Sequence, residues 1–319
     1  MLLAEYFYPQ PSPGWDLAVQ CGVEHGVIRL PESPDFDETD PSHWRELCDR
    51  FRSRGIRPVV VEPMPNVLHD HIKAGDEKRD WAIERAVAML PNMAREGIGT
   101  ICFNFMAHVG WTRTSSTLPE RGGAQVTGFD LREYSPSDRA ITADEVWANY
   151  FYFLRAILPH AEKYGIRLAL HPDDPPLPRL GNVDRVMISL ENIRRAVGEI
   201  PSPVLGVTMC QACYRLMGED LESAVRTLGE KIFFVHFRNV TGIKTCFRET
   251  FHDNGEIDMA RMIRLYEEIC PDVPVRVDHV PTLPGESPLM AGYGDLGKLF
   301  AIGYLKGLLE EAHACDAER

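Results

Sequence analysis

Four short apolar runs in the second half of the chain each end on a side chain able to bind a transition metal: LALHP at His171, LGVTMC at Cys210, FFVHF at His236 and VRVDH at Asp278. Two imidazoles, one thiolate and one carboxylate make a mixed donor set. It suits Mn²⁺, Fe²⁺, Co²⁺ or Zn²⁺ better than Mg²⁺, which prefers an all-oxygen shell. A site of this kind that keeps a coordination position open can polarise a substrate oxygen, so the pattern points to catalysis. A single histidine or cysteine at a strand end is usually a packed interior residue. The recurrence at about the length of a strand-helix unit is what gives these four their meaning.

The neighbours of these residues add chemistry. In HPDDPP, Asp173 or Asp174 can orient the His171 imidazole. Arg238 and Asn239 follow His236, and a guanidinium at that level is a natural clamp for a substrate carboxylate. Asp278 precedes His279, and because successive side chains on a strand point in opposite directions, one can hold metal while the other moves a proton. Tyr293 sits in the Gly-flanked GYG segment, placed either to swing over the site or to cap the last helix. Cys210-Gln-Ala-Cys213 also has the spacing of a redox motif, or of half a zinc site, but no second such pair exists to complete four sulfurs. The His69–Asp70–His71 run is expected to be surface polarity in a loop.

Elements that could gather these ends are visible along the whole chain. Short β-branched or aromatic runs fall at residues 4–8, 26–30, 57–62, 99–105, 167–171, 204–210, 232–237 and 274–279, with helix-like patterns between most of them. Such alternation predicts a parallel sheet. An open doubly wound sheet would normally carry a Gly-rich phosphate loop, and neither GxGxxG nor GxxxxGK[ST] is present. A single (β/α)8 TIM barrel over residues 1–319 is therefore expected, since eight units need about 250 residues and their C-terminal strand ends share one face. That face also receives Glu62 and Asn104. The polar, glycine-containing segment from about Ser115 to Ser137 is expected to form a lid.

Bulk properties narrow the class further. A net charge of −13, from 34 basic and 47 acidic residues, argues against binding nucleic acid or anionic membranes through charge. Eight scattered cysteines and an opening segment unlike a signal peptide lead us to expect a cytoplasmic enzyme with free thiols. Helical faces on the outside of a barrel often pair with another subunit, so a homo-oligomer is expected.

The segments FNFMAHVGWTRT, LALHPDDPP, LGVTMC, HFRNV, the DHV and GY elements and the ending AIGYLKGL resemble the mannonate dehydratase family, whose barrel is of the xylose-isomerase-like kind. The resemblance runs from about residue 57 to 308. It implies a Mn²⁺-dependent dehydration of D-mannonate to 2-keto-3-deoxy-D-gluconate in hexuronate breakdown. His171, Cys210, His236 and Asp278 would be the metal ligands, His279 and Tyr293 the acid/base pair, and Asn104, Trp111, Arg113 and Arg238 the groups holding substrate. Three positions depart from the family pattern: Gly110 and Ser115 stand where Asp is usual, and Arg248 where His is expected. The alternative is a barrel isomerase or epimerase acting on a related sugar or sugar acid with the same ion.

Overall fold

The computed structural model describes residues 1–317. Eight parallel strands close into a barrel: β1 (Leu2–Phe7), β2 (His25–Ile28), β3 (Arg57–Val61), β4 (Thr100–Asn104), β5 (Arg167–His171), β6 (Leu205–Cys210), β7 (Ile232–Phe237) and β8 (Pro274–Val277). They neighbour one another in chain order, and β1 pairs with β8 through Leu2–Pro274 and Ala4–Arg276. Each strand begins and ends within about two residues of where hydrophobic patterning puts it.

Local sequence explains how the helices start and stop. Thr142 caps the Ala143–Tyr164 helix in a reciprocal capping box with Glu145, satisfying donors the first turn leaves free. Gly97 and Gly165 end their helices with φ of 77° and 67°, a left-handed conformation that costs glycine little. The helices pack a large apolar layer on the outside of the strands, built around residues such as Trp44, Phe103, Tyr150 and Tyr266.

A second, smaller cluster fills the barrel interior: Ala4, Tyr6, Val27, Val60, Cys102, Ala169, Phe233 and Phe234. Side chains alternate with a period of two along a strand. The residue two places beyond Ala169 is His171, beyond Phe234 is His236, beyond Val60 is Glu62 and beyond Cys102 is Asn104. Interior packing thus hands over to polar chemistry at the C-terminal mouth.

Two small sheets sit on that mouth. One is antiparallel, in the order Val240–Ile243, Cys246–Glu249, Gln125–Asp130, Ser115–Pro119. Much of the segment expected to be a lid is therefore sheet, cross-linked by Arg248 to Pro119 O and Glu120 and by Arg121 to Asp253. The His69–His71 expectation is overturned for the loop and for His69, while Asp70 is exposed and His71 partly so. These residues lie on the Asn66–Ala74 helix, where Leu68, His69, Ile72 and Lys73 form the buried face. Among the described residues no helix is long and apolar enough to cross a membrane.

Candidate active site

The ends of β5, β6 and β7 bring ligand atoms of His171, Cys210 and His236 within 4.8 Å of one another. Asp278, just past β8, stands beside this trio with Oδ2 3.6 Å from His236 Nδ1. Both His236 ring nitrogens and Asp278 Oδ1 are buried and, among the described residues, lack an aligned hydrogen bond, with Glu62 3.0 Å from His236 Nε2 and Arg276 3.0 Å from Asp278 Oδ1 as ionic neighbours. Buried polar atoms are normally satisfied. Donor atoms of the right types gathered at one point fit a transition metal bound by His171, Cys210, His236 and Asp278.

The surrounding charges prepare these donors. Burial would push the Cys210 thiol up, but a hydrogen bond from Cys213 and the positive charge of Arg238 and His171 hold it well below the usual thiol range. Burial would lower His171, yet the Cys210 thiolate and Asp278 raise it to about 9. The two shifts favour a thiolate on Cys210 and a proton on His171, and a cation bound there would have to displace that proton. His171 Nδ1 lies 2.7 Å from Pro172 O, which fixes the ring with Nε2 facing inward. A backbone carbonyl, rather than Asp173 or Asp174, orients this histidine. Asp173 accepts from Met187 N, and Asp174 faces two arginines.

A further grouping, Glu62, Cys102 and His236, also falls within metal-ligand distance. Its carboxylate already takes Arg276 through both oxygens, at 2.8 and 3.0 Å, so a guanidinium occupies the cationic position there. Burial would raise Glu62, but Arg276 and His236 hold its carboxyl well below the usual range. Its Oε1 lies 3.0 Å from His236 Nε2.

Beside the donors, His279 Nε2 is 3.1 Å from the Tyr293 hydroxyl, and the Trp111 ring covers His279 with centroids 4.9 Å apart. Burial, and then Asp278, push the Tyr293 phenol well above its ordinary value, so it stays protonated. These groups, with Asn104, His171, His236 and Asp278, line a cavity of about 830 Å³ whose walls also include Gly110, His108 and Arg139. A chamber of this size admits a six-carbon acid readily.

Two expected substrate contacts are placed elsewhere. Arg113 and Arg238 are buried behind the cavity wall and are not among its described lining residues. Arg113 makes a bidentate pair with Asp174 at 2.7 and 2.9 Å and also reaches Glu249 at 2.6 Å. Arg238 contacts Asp174, Glu249 and Asp278, and its NH2 also lies near Cys210 and Cys213. Three carboxylates converge on them, so neither guanidinium is free to clamp a substrate. The cations that do line the cavity are Arg29, Lys73, Arg139 and Arg276. Of these, Arg276 was legible as the residue two before Asp278 on the same strand face; the others carry no local signal.

The sequence model of the D-mannonate dehydratase (UxuA) family matches residues 16–140 and 131–318. A mannonate dehydratase of Streptococcus agalactiae serotype Ia is 32% identical over 299 residues, 83% of this chain and 85% of that protein. The crystal structure of a mannonate dehydratase from Streptococcus suis serotype 2 aligns with a TM-score of 0.88 at 26% identity, covering 99% of this chain and 95% of the other. A D-psicose 3-epimerase from Clostridium cellulolyticum H10 aligns at a TM-score of 0.63 and 13% identity, over 98% of this chain and 99% of the other, and shares the fold alone.

Proposed function

The chain belongs to the D-mannonate dehydratase family, and on that footing we propose that it acts as a hydro-lyase, removing water across C2 and C3 of D-mannonate to give 2-keto-3-deoxy-D-gluconate. The observation that carries this reading is the 3.1 Å contact between His279 Nε2 and the Tyr293 hydroxyl, beside the converging metal-donor atoms in one cavity. Elimination next to a carboxylate needs a base at C2, an acid at C3 and a positive centre near C1, and this reading assigns all three to these neighbouring groups.

His171, Cys210, His236 and Asp278 would hold the cation, for which we propose Mn²⁺. When bound, it supplies Lewis acidity that stabilises negative charge developing at C1 and C2. His279 takes the C2 proton on Nε2. Tyr293, which keeps its own proton because burial disfavours the phenolate, gives it to the departing C3 hydroxyl. The resulting enol carries its hydroxyl at C2 and tautomerises to the 2-keto acid. Trp111, its ring tilted over His279 with centroids 4.9 Å apart, covers one side of the pair. An epimerase would need similar groups, but the epimerase likeness is one of fold only.

Incubating Mn²⁺-reloaded protein with D-mannonate tests this. Release of a 2-keto-3-deoxy acid, reduced about 10²- to 10⁴-fold in a Tyr293→Phe variant that still retains metal, is the expected result. Epimerised hexonate without deoxy product would overturn it.

A further inference from the structure

Among the buried carboxylates the mechanism just given leaves unused is that of Glu249. Glu249 ends the strand Cys246–Glu249 of the sheet over the barrel mouth, and its side chain is 3% exposed. Its Oε1 lies 2.6 Å from His279 Nδ1, 2.6 Å from Arg113 NH2 and in contact with Arg238 NH1. Its Oε2 accepts from the Thr127 hydroxyl at 2.5 Å, from the neighbouring strand Gln125–Asp130. No substrate can reach it: among the described residues it is absent from the cavity lining, and His279 stands between it and Tyr293.

We propose that Glu249 is the positioning residue of the proton-transfer pair, holding His279 with its hydrogen on Nδ1 so that Nε2 presents its lone pair to the substrate. Two arginines share Oε1 with His279 while the Thr127 hydroxyl holds Oε2, so both oxygens are fixed and the carboxylate cannot turn to follow the ring. Burial would raise Glu249, but His279, Arg113 and Arg238 hold it well below the ordinary carboxyl range. It is thus an acceptor only, and the hydrogen between it and Nδ1 belongs to the imidazole. A histidine whose far nitrogen is fixed in this way has one tautomer and one ring orientation, the requirement for a base.

The arrangement also gives the antiparallel sheet a role. Glu249 and Thr127 come from adjacent strands of the sheet, and Arg113 from the residues just before its edge strand. The sheet delivers the group that aims His279.

This inference rests on the dehydratase reading for its kinetic test, so a second measurement on the imidazole itself keeps the two separable. In Glu249→Gln, kcat on D-mannonate should fall about 10- to 100-fold, as when a partner behind a working histidine is lost. KM and bound Mn²⁺ should be little changed, and Glu249→Asp should recover part of the loss. Thr127→Val, which removes only the hydroxyl hydrogen bond, should lower kcat about 2- to 10-fold and stands in if the Gln variant does not fold. In ¹⁵N-histidine NMR of Zn²⁺-loaded protein, His279 should be Nδ1-protonated, and this signal should shift toward the other tautomer in Glu249→Gln. A kcat within twofold of wild type, equal losses in kcat, KM and metal content, or an unchanged His279 tautomer would overturn the proposal. If wild type does not turn over D-mannonate, the dehydratase reading fails, and the NMR result alone decides on Glu249.

Discussion

Two histidines in this chain are equally hidden and equally unsatisfied, yet their surroundings make opposite use of them. His69 is 0% exposed and His236 2%, and neither ring nitrogen of either has an aligned hydrogen-bond partner among the described residues. His69 lies among Phe103, Phe105 and Phe153, with ring centroids at 6.0, 6.0 and 6.3 Å. His236 has Glu62 at 3.0 Å, Asp278 at 3.6 Å and the His171 ring at 4.9 Å. An orphaned imidazole alone therefore says nothing about metal. Carboxylate and sulfur around it favour a cation, whereas aromatic faces leave it a neutral, slightly polar filler that lowers stability without adding a site.

The comparison is sharpest under truncation. His236→Ala should abolish tight metal binding and cut kcat/KM at least about 10³-fold if, as proposed, the removed nitrogen is part of the charge-stabilising centre. His69→Phe should retain the metal, measured by elemental analysis of dialysed protein, and keep kcat/KM within about twofold. A His69 variant that loses metal would break the distinction.

A smaller effect probes how His236 is held. Glu62, itself fixed by Arg276, favours a hydrogen on His236 Nε2 and so leaves Nδ1, near Asp278, as the donor. Glu62→Gln should weaken Mn²⁺ binding about 10- to 100-fold by calorimetric or competition titration. An affinity unchanged from wild type would mean that the ring is oriented by packing against Phe234 instead, whose centroid is 4.8 Å away.

The contrast also explains what could be read from the sequence. The barrel strands were legible because β-branched runs and period-two alternation are local, and two of the proposed ligands continue the inward phase of an interior residue, as Ala169 leads to His171 and Phe234 to His236. His69 was misread because VLHDHIKA mixes polar and apolar residues on the buried helical face, so its histidine and lysine masked the period set by Leu68 and Ile72. Arg113 and Arg238 looked like rim cations because nothing near them in sequence announces Glu249, more than ten residues from either. The segment after Ser115 read as a lid because SSTLP and QVTGFD alternate weakly, and their pairing with Cys246–Glu249 is long-range.

The smallest and most specific effect concerns acid. Burial, and then Lys73, hold His69 well below its ordinary value of 6.5, and His252 is lowered to about 4, chiefly by burial. Both histidines stay neutral in the folded chain, while in the unfolded chain they bind a proton below about pH 6.5. The unfolded state therefore binds more protons, and stability rises with pH across this window. The contribution is complete above pH 6.5 and is lost as pH falls, at about 1.4 kcal/mol per pH unit for each histidine. For His252 the loss levels off near pH 4; for His69 it continues lower. In His69→Phe, with chelator present in both proteins, urea unfolding at pH 7 should change by no more than about 1.5 kcal/mol, because the aromatic box takes a ring of similar size. Between pH 6 and 5 the variant's stability should fall less steeply than wild type by about 1.4 kcal/mol per unit. Equal slopes would mean that His69 finds a proton or a partner in the folded chain, and that it resembles His236 more closely than its aromatic neighbours imply.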